Sequence, residues 1–296
     1  EKVEAWEVGA EANFFRNRLH FEGVYYKKTT KNLLAEVPGI SGTVPGIGNL
    51  GSIENKGVEL ALNWRDQIGD WNYSIGGNLT TIKNKVLSLV QEGYSIIAGD
   101  KSQSYTMAGY PIGYFYGYKV EGIYQTQEEI NSSPKNTLAT VTPGDLKFVD
   151  VNGDGEITKG DETVDNPGDR KIIGNSTPRF HYGITGNISW KNFDLNIFFQ
   201  GIAKRDVWIS DNVFWGGSGT AGNWEMYNNS WTPEHTDAKY PMYAGRISSI
   251  QQTGYLFNGA YLRLKTLALG YTLPREWTNK VKLSTVRLSL SGYNLF

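Results

Sequence analysis

At 296 residues, with 29 basic against 30 acidic side chains and no cysteine, the chain is long enough for a large core or two domains and has neither disulfide staples nor a thiol nucleophile. With no Lys/Arg-rich field to neutralise phosphates, nucleic-acid binding is excluded. No stretch nears the roughly 18 consecutive apolar residues of a membrane-crossing helix, which rules out helical spans but leaves a β-barrel open, since half of each barrel strand faces water.

The first element lies at Trp6–Phe14, where Trp6, Val8, Ala10, Ala12 and Phe14 alternate with Glu7, Gly9, Glu11 and Asn13. A period of two is a strand. Arg16–Arg18 turns the chain into a second alternating run, Leu19–Lys28. A Gly- and Pro-rich connection follows over about 29–55. Its GIGNLG (Gly46–Gly51) has no strand before it and no helix after it, so it reads as a loop and not a phosphate cradle. Val58–Arg65 and Trp71–Ile82 predict a hairpin across DQIGD, Asp66–Asp70. A long connection then covers about 83–178. Within it, Ile112–Tyr124 is strand-like and is expected to form an extracellular hairpin.

Phe180–Gln200 is the most regular stretch. Tyr182, Ile184, Ile188 and Trp190 fall on one face and Thr185, Asn187 and Ser189 on the other. Lys191–Asn192 is expected to turn, with Asn supplying the positive φ, and Leu195 and Ile197 resume the apolar face. Each arm is about ten residues, close to the roughly 9–11 that a tilted strand needs to cross a bilayer. After a third long connection, about 206–258, Tyr261–Thr272 and Thr285–Tyr293 complete some eight strands.

Connections between these strands alternate short and long. Outer-membrane barrels sort their loops in this way, with short periplasmic turns and long outer loops, whereas a sandwich has no reason to. The reading is therefore an all-β, antiparallel transmembrane barrel with long extracellular loops, in which the row Tyr182, Ile184, Ile188, Trp190, Leu195 and Ile197 faces outer-membrane lipid. A second reading is a soluble, calcium-stabilised β-sandwich that binds glycans or acts as an adhesin.

DVNGDGEITKGD, Asp150–Asp161, matches a calcium loop in residue type and spacing. Asp150, Asn152 and Asp154 would offer side-chain oxygens, Glu156 its backbone carbonyl, and Asp161 would close the shell around a structural Ca2+. Trp208, Trp215, Trp224 and Trp231 crowd the third long connection, either as a stacking platform for a sugar or peptide or partner, or as the packing of the loop on itself. The three histidines, His20, His181 and His235, share no ligand spacing, no nucleophilic triad stands out, and nothing in the sequence supports an enzyme.

Several phrases together resemble one family. NRLHFEGVYYKKTTKNLL (Asn17–Leu34), IENKGVELALNW (Ile53–Trp64), GYPIGYFYGYKVEGIYQ (Gly109–Gln125), GDLKFVDVNGDGEIT (Gly144–Thr158), STPRFHYGITGNISWKNFDLNIFFQG (Ser176–Gly201) and YLRLKTLALGYTLP (Tyr261–Pro274) are similar to the C-terminal half of SusC/RagA-type TonB-dependent outer-membrane transporters. The resemblance implies eight strands of a larger 22-strand barrel of the Gram-negative outer membrane. In that family the barrel is filled by an N-terminal plug, capped by a SusD-like lipoprotein, energised by the TonB complex, and used to import oligosaccharides or peptides. On that pattern the plug, the TonB-contacting segment and the first strands lie outside this chain, which begins at Glu1 without Met, and Phe296 is expected to be a truncation point.

Overall fold

The computed structural model describes residues 1–37, 46–49, 51–89, 95–98, 104–161, 166–209, 224–243 and 250–296. The chain divides into two compact units, one of 1–84, 178–205 and 259–296, the other of 85–177 and 206–258.

The first unit carries eight long strands: β1 Lys2–Phe14, β2 Leu19–Lys31, β3 Gly51–Ile68, β4 Trp71–Thr81, β5 Phe180–Trp190, β6 Phe193–Ala203, β7 Tyr261–Thr272 and β8 Arg287–Tyr293. They pair in sequence order, each antiparallel to the next, with β1 and β8 at the two edges. Register converts the alternation of each strand into a two-faced sheet. Ile188 lies opposite Tyr73 and Leu195, Ile184 opposite Gly77 and Phe199, and Ile197 opposite Gly186 and Leu267. Asn187 lies opposite Ser74 and Asn196 on the other face.

Two turns differ from expectation. β3 runs on through Asp66 and Gln67 to Ile68, so the connection to β4 shrinks to Gly69–Asp70, with Gly69 at φ 57°. Asp66 and Gln67 read as turn residues because they are polar, yet the end of a strand in water tolerates them, and Asp66 is held by Arg18 at 3.2 Å. At the β5–β6 turn the left-handed residue is Lys191, φ 51°, rather than Asn192.

The second unit holds its own core of Tyr118, Leu146, Phe148 and Ile157, and a smaller one of Met226, Tyr240 and Tyr255. The stretch Ile112–Tyr124 does not fold back on itself. Tyr114–Tyr118 pairs with Arg170–Asn175 and with Ser104–Met107, while Val120–Ile123 pairs with Leu146–Phe148. A single intervening residue, Lys119, is too short to make a hairpin turn, so the two runs take different partners.

One close approach within the sheet tests this packing. Tyr182 lies flat over Gly201 on β6, where a Cβ would overlap its ring, and its hydroxyl donates to the Tyr261 carbonyl at 3.3 Å. Gly201→Val is expected to displace the ring and cost about 1–3 kcal/mol, the usual penalty of overpacking. It should lower the temperature at which the folded barrel band is lost on semi-native electrophoresis of the full-length protein.

Candidate functional site

The two faces of the sheet differ in chemistry from edge to edge. On the polar face, Asn196 Nδ2 donates to Asn187 Oδ1 at 2.7 Å and Asn187 Nδ2 to Ser74 Oγ at 3.2 Å, so one amide ladder links β6, β5 and β4. Arg287 Nε donates to Asp194 at 3.1 Å, tying β8 to β6 across the small residue Gly270. Arg65, Asn72, Ser74, Asn187, Asp194 and Asn196 line an open depression of about 560 Å³ toward the short-turn end.

The opposite face is apolar and uncovered. Val8 is 64% exposed, Leu62 50%, Ile75 57%, Ile184 44% and Leu269 48%, an area far beyond the single exposed side chains normal for a water-soluble surface. Ile188 is exposed with them, and Tyr182, Trp190, Leu195 and Ile197 are half-buried among their neighbours in the same row. Near the short turns this face ends in a row of rings: Phe15 against Trp64 at 6.0 Å, Trp71 stacked on Trp190 at 5.4 Å, Trp190 on Phe193 at 6.3 Å, and Phe193 against Tyr271 at 4.6 Å. Toward the long-connection end, Trp6 packs on Tyr25 at 5.5 Å.

The Asp-rich loop is built by backbone amides closing on side-chain oxygens. Asp150 accepts from Gly153 N at 2.6 Å and Gly155 N at 2.9 Å, Asn152 Oδ1 from Asp154 N at 3.1 Å, and Asp154 Oδ1 from Glu156 N at 2.9 Å. Gly153 and Gly155 take φ of 77° and 84°, which is why glycine is needed there. Ile157 anchors the loop in the core, fully buried. Glu156 directs its carboxylate to Lys135 at 3.4 Å. Asp161 does not reach Asp150 and Asp154; it accepts from Asn166 Nδ2 at 2.9 Å.

The loop is closed by a residue that sequence reasoning missed. Asp169, fully buried, accepts from Val151 N and from Thr158 N, both at 2.7 Å, and so clamps the loop's two ends. Its only sequence signal is the Gly168 before it, which approaches Gly160 so closely that neither could carry a side chain unshifted. Among the described residues no three His, Cys, Asp or Glu side chains converge as a metal-holding group. The donors of Asp150, Asn152 and Asp154 are nevertheless hard oxygens in one turn, each carboxylate oxygen retaining a lone pair beyond its amide bond. They fit a calcium ion at the first three positions and not at the closing one.

The three tryptophans described, Trp208, Trp224 and Trp231, do not form one platform. Trp231 is buried and its indole N–H donates to Gln125 Oε1 at 2.9 Å, and Trp208 packs on Tyr255 at 6.2 Å, so both serve the second unit's interior. Of the three described, Trp224 is the open one, 75% exposed and stacked on Tyr227 at 5.7 Å. Trp215 lies outside the described residues. In the same unit, the amide of Gln125, followed by Lys147 at 3.1 Å, holds Glu129 below the usual carboxylate range. That contribution is present above the ordinary glutamate value and is lost as pH falls through the lowered one. Burial, with neighbouring tyrosines adding to it, pushes the Tyr114 phenol well up.

A family model described as "TonB dependent receptor-like, beta-barrel" matches residues 1–295. The chain belongs to that barrel family. It is 35% identical to TonB-dependent receptor P3 of Formosa agariphila over 98% of this chain and 29% of that protein. It is 23% identical to TonB-dependent receptor SusC of Bacteroides thetaiotaomicron over 94% of this chain and 26% of that one. Its fold matches the RagAB peptide transporter with a TM-score of 0.78 at 25% identity, covering 99% of this chain and 31% of the other. The chain thus spans about 30% of the length of these relatives, all of them receptors or transporters and none an enzyme by name. An SusC/RagA-like receptor barrel accounts for a long antiparallel sheet with one polar and one apolar face, and the sandwich reading falls because Ile75, Ile184, Ile188 and Leu269 are exposed where a sandwich would bury them.

Asp169→Ala is expected to free two buried amides, at about 1–3 kcal/mol for groups left unsatisfied, and to speed proteolysis within 150–169 several-fold. Asp161→Ala, which loses only an exposed amide contact, should change the cleavage rate far less.

Proposed function

We propose that this chain is a wall segment of a TonB-energised outer-membrane importer of the Gram-negative envelope. The apolar face of β1–β8, with the row Tyr182, Ile184, Ile188, Trp190, Leu195 and Ile197, meets lipid, and the amide-lined face meets the water-filled lumen or its plug. The uncovered apolar face, terminated by stacked rings, is the observation that carries this reading: such a surface is stable only against hydrocarbon, and rings of Tyr and Trp suit the headgroup level. The cargo is an oligosaccharide or a peptide, taken over from a SusD-like surface lipoprotein. RagAB, whose fold this chain shares, is a peptide transporter, which supports the peptide, and the oligosaccharide rests on the sequence resemblance to SusC-type transporters.

Within the outer loops, Asp150, Asn152, Asp154 and the Glu156 carbonyl hold a structural Ca2+, with the buried Asp169 keeping the loop shaped for it. Calcium ligated there needs no part in transport chemistry; it stiffens the loop.

Ile184→Arg in the full-length receptor is expected to cost about 2–4 kcal/mol at the bilayer midplane and to abolish the heat-modifiable band in the outer-membrane fraction, whereas Thr185→Arg on the opposite face should leave that band. Equal assembly of both variants would overturn the lipid-facing assignment. For the loop, chelator should accelerate cleavage within 150–169 in the native protein and have no further effect in Asp150→Ala/Asp154→Ala; cleavage indifferent to chelator would remove the metal.

A further inference from the structure

On β1, β2 and β3 the charges are divided unevenly between the two faces, with Lys28 and Arg65 beside the acids of the polar face. By register Glu7, Glu11, Glu22 and Glu59 all lie on the polar face. The apolar face, at its long-connection end, instead carries Lys2, Lys27, Lys31 and Lys56 around only Glu4 and Glu54. Each glutamate is shared by two lysines: Glu54 with Lys27 at 2.8 Å and Lys56 at 3.1 Å, Glu4 with Lys31 at 2.7 Å and Lys2 at 3.4 Å. Four ammonium groups against two carboxylates leave an excess of two positive charges.

Glu54 is only 7% exposed, so its carboxylate fixes the Lys27 and Lys56 ammonium groups side by side instead of leaving them on free stems. The height of the cluster is set by the rings beneath it. Trp6 is the register partner of Lys27 and packs on Tyr25. If that ring pair marks headgroup level, Lys31 and Lys2 sit further out along the strands at about 3.4 Å per residue, where the charged groups of the outer leaflet lie.

We propose that this lysine rim is a binding site for the phosphate groups of an anionic glycolipid of the outer leaflet. The proposal rests on the lipid-facing assignment of this side of the sheet and adds a specific ligand chemistry to it. Each shared carboxylate leaves donor hydrogens on its two lysines, since an ammonium has three, and a phosphate oxygen bridging two of them makes charge-assisted hydrogen bonds. Exposed Lys–Glu pairs are individually weak, so an arriving phosphate competes with Glu4 at little cost, while the buried Glu54 stays in place as the spacer. A site of this kind orients the barrel wall against the leaflet and holds an annular lipid at β1–β3.

The test uses the full-length receptor, purified from outer membranes in mild detergent, with phosphorylated lipid A and enzymatically dephosphorylated lipid A as probes and retention read by native mass spectrometry. Phosphorylated lipid is expected to be retained at least tenfold better than its dephosphorylated form. The variant Lys27→Gln/Lys31→Gln/Lys56→Gln should lower retention of phosphorylated lipid to the dephosphorylated level, and Lys28→Gln, on the opposite face, should leave it unchanged. Equal retention of the two lipids by the native protein overturns the proposal whatever the variants do, and so does undiminished retention by a triple variant whose folded band is intact. If the native receptor does not fractionate with the outer membrane, the lipid-facing assignment falls and takes this site with it; if it does fractionate there and retention ignores phosphate, this site alone falls.

Discussion

A backbone amide or carbonyl that meets hydrocarbon must find its partner within the sheet, and the interior strands β2–β7 have a paired neighbour on each side, while β1 and β8 are paired on one side. That requirement explains why the elements are long, in ladder from end to end and antiparallel throughout. It also explains why side-chain chemistry is free to differ so completely between the faces. With the backbone satisfied by the neighbouring strand, residue i addresses one medium and residue i+1 the other. The amide ladder Asn196–Asn187–Ser74 and the exposed Ile184 and Ile75 are two outcomes of one geometry.

The same constraint places the buried core. A sheet wetted on one side and greased on the other has little interior, and the least exposed large side chains, Tyr114, Tyr124, Phe148, Ile157 and Tyr255, all belong to the second unit. Long connections of this size hold a shape only by acquiring cores, so aromatic residues that look like binding surface in the sequence are in part spent on packing. Trp231, with its indole tied to Gln125, shows the outcome, while Trp224 stacked openly on Tyr227 remains on the surface.

The strands were legible because a period of two needs only local alternation, and Phe180–Gln200 shows it almost without interruption. Legibility ended where chemistry depends on distant partners. Arg170–Asn175 forms a strand whose polar ends conceal it, and its partner Tyr114–Tyr118 therefore looked like half of a local hairpin. Asp169 lies well beyond the twelve-residue window in which a calcium loop is sought, so that window does not reveal the buried acid that ties the loop's two ends. Lys191 adopts a left-handed backbone beside an Asn better suited to it, a choice that residue type does not signal.

One feature of the sheet order bears on how such a wall forms. Three of the seven junctions between neighbouring strands take two to four residues, but β4 and β5 close a seam between Thr81 and Phe180, with the whole of 85–177 between them. An unstructured insert of that length would carry the largest loop-closure entropy of any pairing in the sheet, growing as the logarithm of its length. An insert that has already folded presents its two ends as a fixed pair instead of a wandering chain. Pairing across this seam would then depend on folding of the insert as well as on the two strands themselves.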